Sequence, residues 1–374
     1  MSRQIKRKSM VRSALELGVV LLGVSIAAPA SVSATTIAEN NDPEGNTRVA
    51  PLFADDSLLA VTIEAPLTTL MNDRPDEQYL DGTFSFTEDD GEERTVELKL
   101  RTRGKYRREE KHCDFAPIRL NFRETQVEGT VFAGQDKLKL VTHCRSKNRN
   151  YEQLILREFL AYRLLNVITD KSFGVRLLQI NYLDTEVAKA MTRFGFVIED
   201  DDAVAARNGM RPIKTGNISS DDLDRRQQNL VSVFQYLIGN TEFSMTIGEP
   251  DEGCCHNTDL LSATDGPPFT PLAYDFDFAG IVNAPYAQPK PRYKLRNVRQ
   301  RLYRGVCSNN ELLPDTFQRF IDKKAAIYGV VDDLAFLSSK SRRSVTRYLN
   351  LFYKSIGKPK SVTASFIKKC ESSE

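Results

Sequence analysis

The sequence predicts an α+β fold of two lobes that together make one domain: a β-rich lobe over residues 56–200 and an α-rich lobe over residues 201–374. Segments that alternate apolar and polar residues dominate the first half, with one stretch of helical length among them. The second half changes to longer stretches with helical spacing. A chain that places strands first and helices later is typical of the α+β class.

The strands of the first half are identified by their period of two. Residues 58–66 form one strand-like segment, and residues 81–104 hold two alternating segments around the turn EDDG, which predicts a hairpin. APIRLNF and DKLKLVTH alternate as well. Residues 151–168 have helical length and spacing, and residues 174–184 and 192–200 return to strand. We therefore expect a sheet with one helix inserted before its last two strands.

The second half is predicted to be mostly helical. DDLDRRQQNLVSVFQYLIG has helical spacing and follows the capping residues SSDD. NTDLLSAT and PLAYDFDFAG are expected to form a short hairpin. Three further stretches are predicted to close the fold as helices: SNNELLPDTFQRFIDKKAAIYG, VVDDLAFLSSK and SRRSVTRYLNLFYKSIG.

The first 34 residues have the layout of a secretory signal peptide. A basic start, MSRQIKRKSMVR, precedes an apolar segment over residues 17–30 and a small-x-small pattern that ends at Ala34. We expect export to the periplasm or the exterior, with no stable transmembrane segment after cleavage, because the apolar segment is too short to span a bilayer comfortably. An uncleaved anchor and a plain N-terminal helix are the alternatives. Residues 35–55 are polar and predict a flexible leader.

The charge of the exported chain argues against nucleic acid as a partner. Residues 1–34 hold five Lys or Arg and one Glu, so their removal changes the formal net charge from +2 to −2. A chain with this balance has no global basic surface for a phosphate backbone.

The six cysteines predict disulfides in an exported chain. Cys113 lies just before one alternating strand, and Cys144 lies just after the next. If these two strands pair antiparallel, the two cysteines become neighbours, which predicts a Cys113–Cys144 disulfide. Cys307 is expected to reach Cys254 or Cys255.

Two carboxylates in the segment YDFDFAG raise the possibility of a metal site. Asp275 and Asp277 lie two residues apart, so in a strand they share a face, with Tyr274, Phe276 and Phe278 on the other. A buried carboxylate needs a partner or a metal. Either a metal site or a half-exposed polar strand face explains the pattern.

Other residues along the chain supply the remaining groups that phosphoryl transfer needs. Such a site uses a Lys on the nucleotide phosphates, an acid that orients the Lys, an Asp and an Asn that hold metal ions, and a carboxylate near the attacking hydroxyl. The chain offers candidates for these roles in the order Lys139, Glu158, Glu242, Asn257 and Asp275.

These motifs resemble those of the spore-coat CotH kinase family. The resemblance rests on LRTRGKYR, KLKLV, LREFLAYRLL, GNTEFSM followed by HN, and YDFDFAG, and covers roughly residues 95–285. It implies a bilobal, atypical protein-kinase-like fold. It also implies phosphorylation of Ser on secreted or surface proteins, with ATP and a divalent metal, Mg²⁺ or Mn²⁺, as cofactors.

The resemblance assigns roles to individual residues. Asp275 matches the metal-binding Asp, with Asp277 able to share the metal, and Asn257 matches the metal-binding Asn of the catalytic loop. Lys139 matches the phosphate-binding Lys, and Glu158 matches its partner.

Other assignments concern the nucleotide. Lys137 lies two residues from Lys139 on the same strand face, so the choice between the two lysines stays open. Arg103 is expected near the phosphates, at the start of the charge run RGKYRREEKH, which either gathers anionic phosphates or is a solvated loop. The segment FGFVIED corresponds to the hinge, so Phe196, Val197 and Glu199 are expected to bind the nucleotide.

Glu242 departs from the family pattern, which has Asp at the corresponding catalytic position. Glu can still orient a hydroxyl, but it is one methylene longer, and catalytic geometry tolerates little misplacement. Two main hypotheses follow. One is an exported kinase that transfers the γ-phosphoryl group of ATP to a Ser or Thr hydroxyl of a secreted or envelope protein. The other is a catalytically impaired binding or scaffold protein of the cell envelope. A metal-dependent hydrolase that uses Asp275 and Asp277 is a third hypothesis, without a further ligand motif to support it.

Overall fold

Seven strands close into a mixed β-barrel in the computed structural model of the chain, which describes residues 49–88, 90–250 and 252–372. In chain order they are β1 (Leu59–Ala65), β2 (Leu80–Thr87), β3 (Glu93–Thr102), β4 (Ile118–Phe122), β5 (Lys137–Val141), β6 (Val175–Asp184) and β7 (Lys189–Ile198). Around the barrel the order is β1-β2-β3-β4-β5-β7-β6. Neighbours are antiparallel except for β1 and β6, which run parallel.

The closed barrel shows that the predicted bilobal, atypical protein-kinase-like fold is wrong. Strand β6 pairs antiparallel with β7 on one edge and parallel with β1 on the other. The sheet therefore closes on itself, and β1 is not an edge strand. The described residues also fall within one compact unit, Gly45–Glu374, rather than two lobes. Alternation of apolar and polar residues predicts the strands, but it does not specify that β1 pairs with a strand so distant in the chain.

Ten α-helices complete the described part of the chain. They are α1 (Pro51–Ala54), α2 (Leu67–Asp73), α3 (Glu124–Val127), α4 (Glu152–Ile168), α5 (Asp201–Arg207), α6 (Arg225–Ile238), α7 (Leu313–Asp322), α8 (Lys324–Asp333), α9 (Ser339–Ile356) and α10 (Pro359–Val362). None of the helices in the described ranges is both long and apolar enough to cross a bilayer.

A small second sheet lies between the barrel and the C-terminal helices in the sequence. Its strands are β8 (Arg211–Ile213), β9 (Thr258–Ser262) and β10 (Thr270–Ala273), in the order β10-β9-β8. Strands β9 and β10 pair antiparallel, which confirms the predicted hairpin. The hairpin of β2 and β3 and the helix α4 are confirmed as well.

The barrel interior is a packed core. Phe84, Phe86, Phe122 and Phe132 meet there, with ring centroids 4.7–5.9 Å apart. A second buried cluster joins the outer face of the barrel to the helices, and α4 contributes to it along nearly its whole length. This shared cluster explains why the two halves of the chain form one unit.

The N-terminal predictions fall largely outside the described residues. The signal peptide over residues 1–34 and most of the leader lie there. Leu52 and Phe53 of α1 are buried in the core cluster of the barrel, so the packed structure includes residues 51–54 of the predicted leader.

The disulfide predictions have mixed outcomes. Cys113 and Cys144 are bonded, as predicted. The predicted link from Cys307 to Cys254 or Cys255 is wrong, because Cys307 pairs with Cys370 and the two adjacent cysteines pair with each other. The amide of Cys307 donates to the carbonyl of Glu371 over 2.8 Å, which holds it beside the end of the chain.

Candidate functional site

The outer face of β5 places Lys139 in a cavity between the barrel and α4. Its strand neighbours point into the barrel core, so the period of two turns Lys139 outward. The Lys139 Nζ atom lies 5.5 Å from the ring centre of Phe173 and 5.8 Å from that of Tyr274. Burial lowers the pKa of Lys139, and the negative charge of Asp259 opposes that shift. Lys137, the alternative choice, is exposed on the strand.

Four of the predicted residues line this cavity. They are Arg103, Lys139, Glu158 and Asp275, which come from four separate segments of the chain. The cavity is small, about 20 Å³, which is space for about one water molecule. A nucleoside triphosphate is much larger than this space, so it would bind at the mouth of the cavity or displace the side chains that line it.

Arg107 is the central cation of the site, and the sequence reasoning missed it. It lies in the short 3₁₀ turn Tyr106–Arg108 and is buried. Its Nη1 and Nη2 atoms donate to the two carboxylate oxygens of Glu158 over 3.0 and 3.2 Å. Nη2 also donates to Asp275 over 3.3 Å, and Nε lies 3.3 Å from Asp277. Burial alone would lower the pKa of Arg107, but Glu158 and Asp277 raise it well above its ordinary value.

Glu158 therefore has a different partner from the one expected. The resemblance assigns it to Lys139, but the structure pairs it with Arg107 in a two-pronged contact. Burial raises the pKa of Glu158, and the Arg107 guanidinium opposes that shift. Lys139 remains in the same cavity and is available to other anions.

A turn, and not a strand, brings the side chains of Asp275 and Asp277 to the same guanidinium group. Strand β10 ends at Ala273, so the expected strand with both acids on one face does not extend this far. Asp275 has a φ of 57°, in the left-handed region, and its amide donates to the hydroxyl of Tyr162 over 2.8 Å. Its side chain is 42% exposed, so Asp275 can meet a ligand.

Asp277 is the buried acid of the pair. Its Oδ2 atom accepts from the hydroxyl of Tyr286 over 3.0 Å. Burial raises the pKa of Asp277 well above its usual range, and Arg107 opposes that shift. Arg107 and Tyr286 both contact the Oδ2 atom of Asp277, so Oδ1 is the oxygen that Asp277 could offer to a metal, and the nearby guanidinium charge would oppose a cation there.

Hydrogen bonds to backbone carbonyls connect Glu242 and Asn257 to the same site. The amide nitrogen of the Asn257 side chain donates to the Glu242 carbonyl over 2.8 Å. The amide of Tyr274, next to Asp275, donates to the Asn257 carbonyl over 3.2 Å. Burial raises the pKa of Glu242 to about 7, and the charge of Asp275 adds to that shift. Glu242 therefore changes its protonation state near neutral pH.

Gly239 makes the approach of these segments possible. It ends α6 in the left-handed conformation, with φ 68°, and the hydroxyl of Tyr348 occupies the space where a Cβ would sit. Its carbonyl accepts from the amide of Gly280 over 3.0 Å. The end of α6, which leads to Glu242, is thus tied to the end of the YDFDFAG segment.

The oxygen donors of the site suit a hard cation held partly by its ligand. Across the described residues, no group of three or more His, Cys, Asp and Glu is arranged to hold a metal. Asp275 and Asp277 carry carboxylate oxygens, and Asn257 carries an amide oxygen. Mg²⁺ commonly binds through one or two carboxylates plus substrate phosphates, so these residues fit such an ion.

The three predicted hinge residues face the interior. Phe196 and Val197 are fully buried in the core. The carboxylate of Glu199 accepts from the amide of Gly174 over 2.7 Å and from Arg207 over 3.0 Å. In this segment, the side chain that lines the cavity belongs to Ile198.

Comparison with known proteins adds no family to these observations. No protein-family model matches the chain, and no curated protein matches it. The similarity of its motifs to the CotH kinases therefore remains a resemblance, and the function is argued from the residues of the site.

Proposed function

We propose that the chain transfers the γ-phosphoryl group of ATP to a Ser or Thr hydroxyl of a secreted or envelope protein. The observation that carries the proposal is the arrangement around one cavity. Lys139, Glu158 and Asp275 line it, and Glu242 and Asn257 are linked to it through the backbone. The motif order that resembles the CotH kinases gives further support. The barrel does not argue against it, because chemistry depends on the site rather than on the fold.

Each residue has a task in this proposal. Lys139 and Arg103 bind the phosphates, since both are cations on the wall of the cavity. Asp275 and Asn257 hold Mg²⁺ or Mn²⁺, and such an ion would neutralise charge on the phosphates. Arg107 fixes Glu158 and Asp275 relative to each other.

Glu242 orients the acceptor hydroxyl and accepts its proton. A general base works best when its pKa lies near the working pH, and the Glu242 pKa of about 7 meets that condition. The Asn257 side chain fixes the backbone of Glu242 by donating to its carbonyl.

Export is part of the proposal. The described part of the chain contains three disulfides, and disulfides persist mainly in oxidising compartments outside the cytoplasm. The predicted signal peptide at residues 1–34 points the same way.

A second candidate function is a binding or scaffold protein of the cell envelope without turnover. The observation in its favour is that Arg107 already pairs with Asp275, the carboxylate proposed to hold the metal, and with Asp277 beside it. A site closed by its own guanidinium could bind a partner or a nucleotide without transferring phosphate.

Thermal unfolding with ligands tests the proposed nucleotide site. We expect ATP with Mn²⁺ to raise the Tm of the wild type and of the control Asp265→Asn, whose acid is 94% exposed. Asp275→Asn should remove the shift while leaving the Tm without ligand close to that of the control. Stabilisation without phosphate transfer would favour the second candidate. If ATP with Mn²⁺ shifts the Tm of none of the samples, the proposed nucleotide site is overturned.

A further inference from the structure

The C-terminal helical segment carries a charge pattern that the proposed site does not use. From Leu334 to Cys370 the chain has nine Lys or Arg residues and no Asp or Glu. Residues 35–374 as a whole have a net charge of −2, so the part outside this segment has a net charge of −11. The chain therefore separates its charge into an acidic body and a basic end.

Helix α9 gathers four of these bases on one face. Lys340, Arg343, Arg347 and Lys354 are all exposed, and their spacings of three, four and seven residues place them on the same side of a helix. We call these four residues, with Leu351 between them, the basic face. Leu351 is 48% exposed.

The opposite side of α9 is packed into the protein, so the basic face is the side turned outward. Its buried residues are Ser341, Val345, Tyr348, Leu349, Phe352 and Ile356. Arg342 does not belong to the basic face, because its guanidinium donates to backbone carbonyls that include that of Leu334, 2.9 Å away.

We propose that the basic face binds an anionic phospholipid surface, with α9 lying parallel to the membrane plane. A helix of 18 residues is about 27 Å long, so its bases can contact several headgroups at once. Lys and Arg side chains close to an anionic membrane are attracted to its headgroups, and the attractions of several such bases add. The inference concerns a surface separate from the cavity and does not depend on phosphoryl transfer.

Leu351 favours a membrane over nucleic acid as the partner. An exposed aliphatic side chain gains from entering the boundary between headgroups and acyl chains. Single-stranded nucleic acid binds to aromatic side chains on which its bases stack, and the basic face has none. The face thus offers the chemistry of a lipid contact, with charge for the headgroups and an apolar side chain for the interior.

Vesicle binding by the full chain tests this proposal. Every sample keeps the first 34 residues, so they do not contribute to the differences between samples. One variant replaces Lys340, Arg343, Arg347 and Lys354 with Gln. A matched control replaces four exposed bases on or next to the barrel strands with Gln, so both variants lose the same charge. The control positions are Arg94, Lys99, Arg123 and Lys189.

We expect the face variant to lose about tenfold or more in affinity for phosphatidylglycerol-containing vesicles relative to wild type, and the control to stay within about twofold. Circular dichroism melting checks that both variants fold. Equal losses in the two variants would overturn the proposal, because net charge rather than this face would then explain binding.

Leu351→Ser separates the membrane from a polyanion. We expect it to weaken binding to phosphatidylglycerol-containing vesicles and to leave binding to single-stranded DNA unchanged. Tighter binding to DNA than to vesicles, with no effect of Leu351→Ser on either, would overturn the membrane assignment in favour of nucleic acid.

Discussion

Replacing Arg107 with Met removes the cation that holds three carboxylates together. The Met side chain keeps much of the apolar stem but has no charge. Glu158 and Asp277 are buried beside Arg107, and Asp275 is half-exposed. The variant therefore leaves two buried carboxylates without the guanidinium that pairs with them.

The cost follows from the burial of these groups. Removing one partner of a buried ion pair destabilises a protein by about 3–5 kcal/mol. Two buried carboxylates depend on Arg107, so we expect the free energy of unfolding of Arg107→Met at pH 8 to fall by an amount near the upper end, about 5 kcal/mol.

The loss should depend on pH with a definite sign. Burial raises the pKa of Glu158 and of Asp277 in the folded state, and Arg107 opposes both shifts. Without Arg107 the two pKa values rise further above their unfolded values. The folded variant then binds more protons than the unfolded chain, so its stability rises as the pH falls from 8 towards 5.

Urea unfolding followed by circular dichroism at pH 8, 7, 6 and 5.5 measures both effects. Arg94→Met serves as the control, because Arg94 is half-exposed and its ion-pair partner among the described residues is the exposed Glu92, so the free energy of unfolding should fall by less than about 1 kcal/mol. If Arg107→Met lost less than about 1 kcal/mol, or lost the same amount at pH 8 and 5.5, the buried ion-pair network would be refuted.

Three further predictions concern the site and the barrel. Phosphate transfer by the wild type should rise about tenfold per pH unit below pH 7 and then level off, because Glu242, with a pKa of about 7, must be ionised, whereas Glu242→Gln should be slow at every pH. A wild-type rate that is flat from pH 6 to 8 would contradict this role. Lys139→Met should raise KM for ATP about tenfold in steady-state assays, whereas Lys137→Met, at an exposed position, should not; equal effects would argue against the cavity lysine. Replacing Cys113 and Cys144 together with Ser opens a link across 31 residues and should cost about 4 kcal/mol in urea unfolding without reductant, and a loss below about 1 kcal/mol would count against a structural disulfide.

The local elements of the fold could be predicted from the sequence, but the closure of the barrel could not. The β2–β3 hairpin and α4 depend on alternation, turn residues and helical spacing, which act over short distances in the chain. The parallel pairing of β1 with β6 depends on two strands that are far apart. Nothing in either strand's pattern specifies its partner, so the same strands were compatible with a kinase-like lobe.

The site residues that lie in recognisable motifs could be predicted from the sequence. Arg107 could not, because its role depends on its burial in the folded chain. Lys139, Glu158 and Asp275 stood in motifs and do line one cavity. Arg107 lies within a dense charge run, where a solvated loop was as reasonable as a site. One signal could have identified it: the motifs place three acids, Glu158, Asp275 and Asp277, in one site but supply two cations, Arg103 and Lys139.

Transfer of labelled γ-phosphate from ATP, with Mn²⁺ present, tests the central claim most directly. The purified chain would be incubated with a secreted-protein extract, and labelled Ser and Thr would be measured for the wild type, Asp275→Ala and the exposed control Asp265→Asn. We predict incorporation by the wild type and the control, and a loss of about a hundredfold or more in Asp275→Ala. Equal incorporation by Asp275→Ala and the wild type, or none by any sample, would contradict a phosphoryl-transfer site at this cavity.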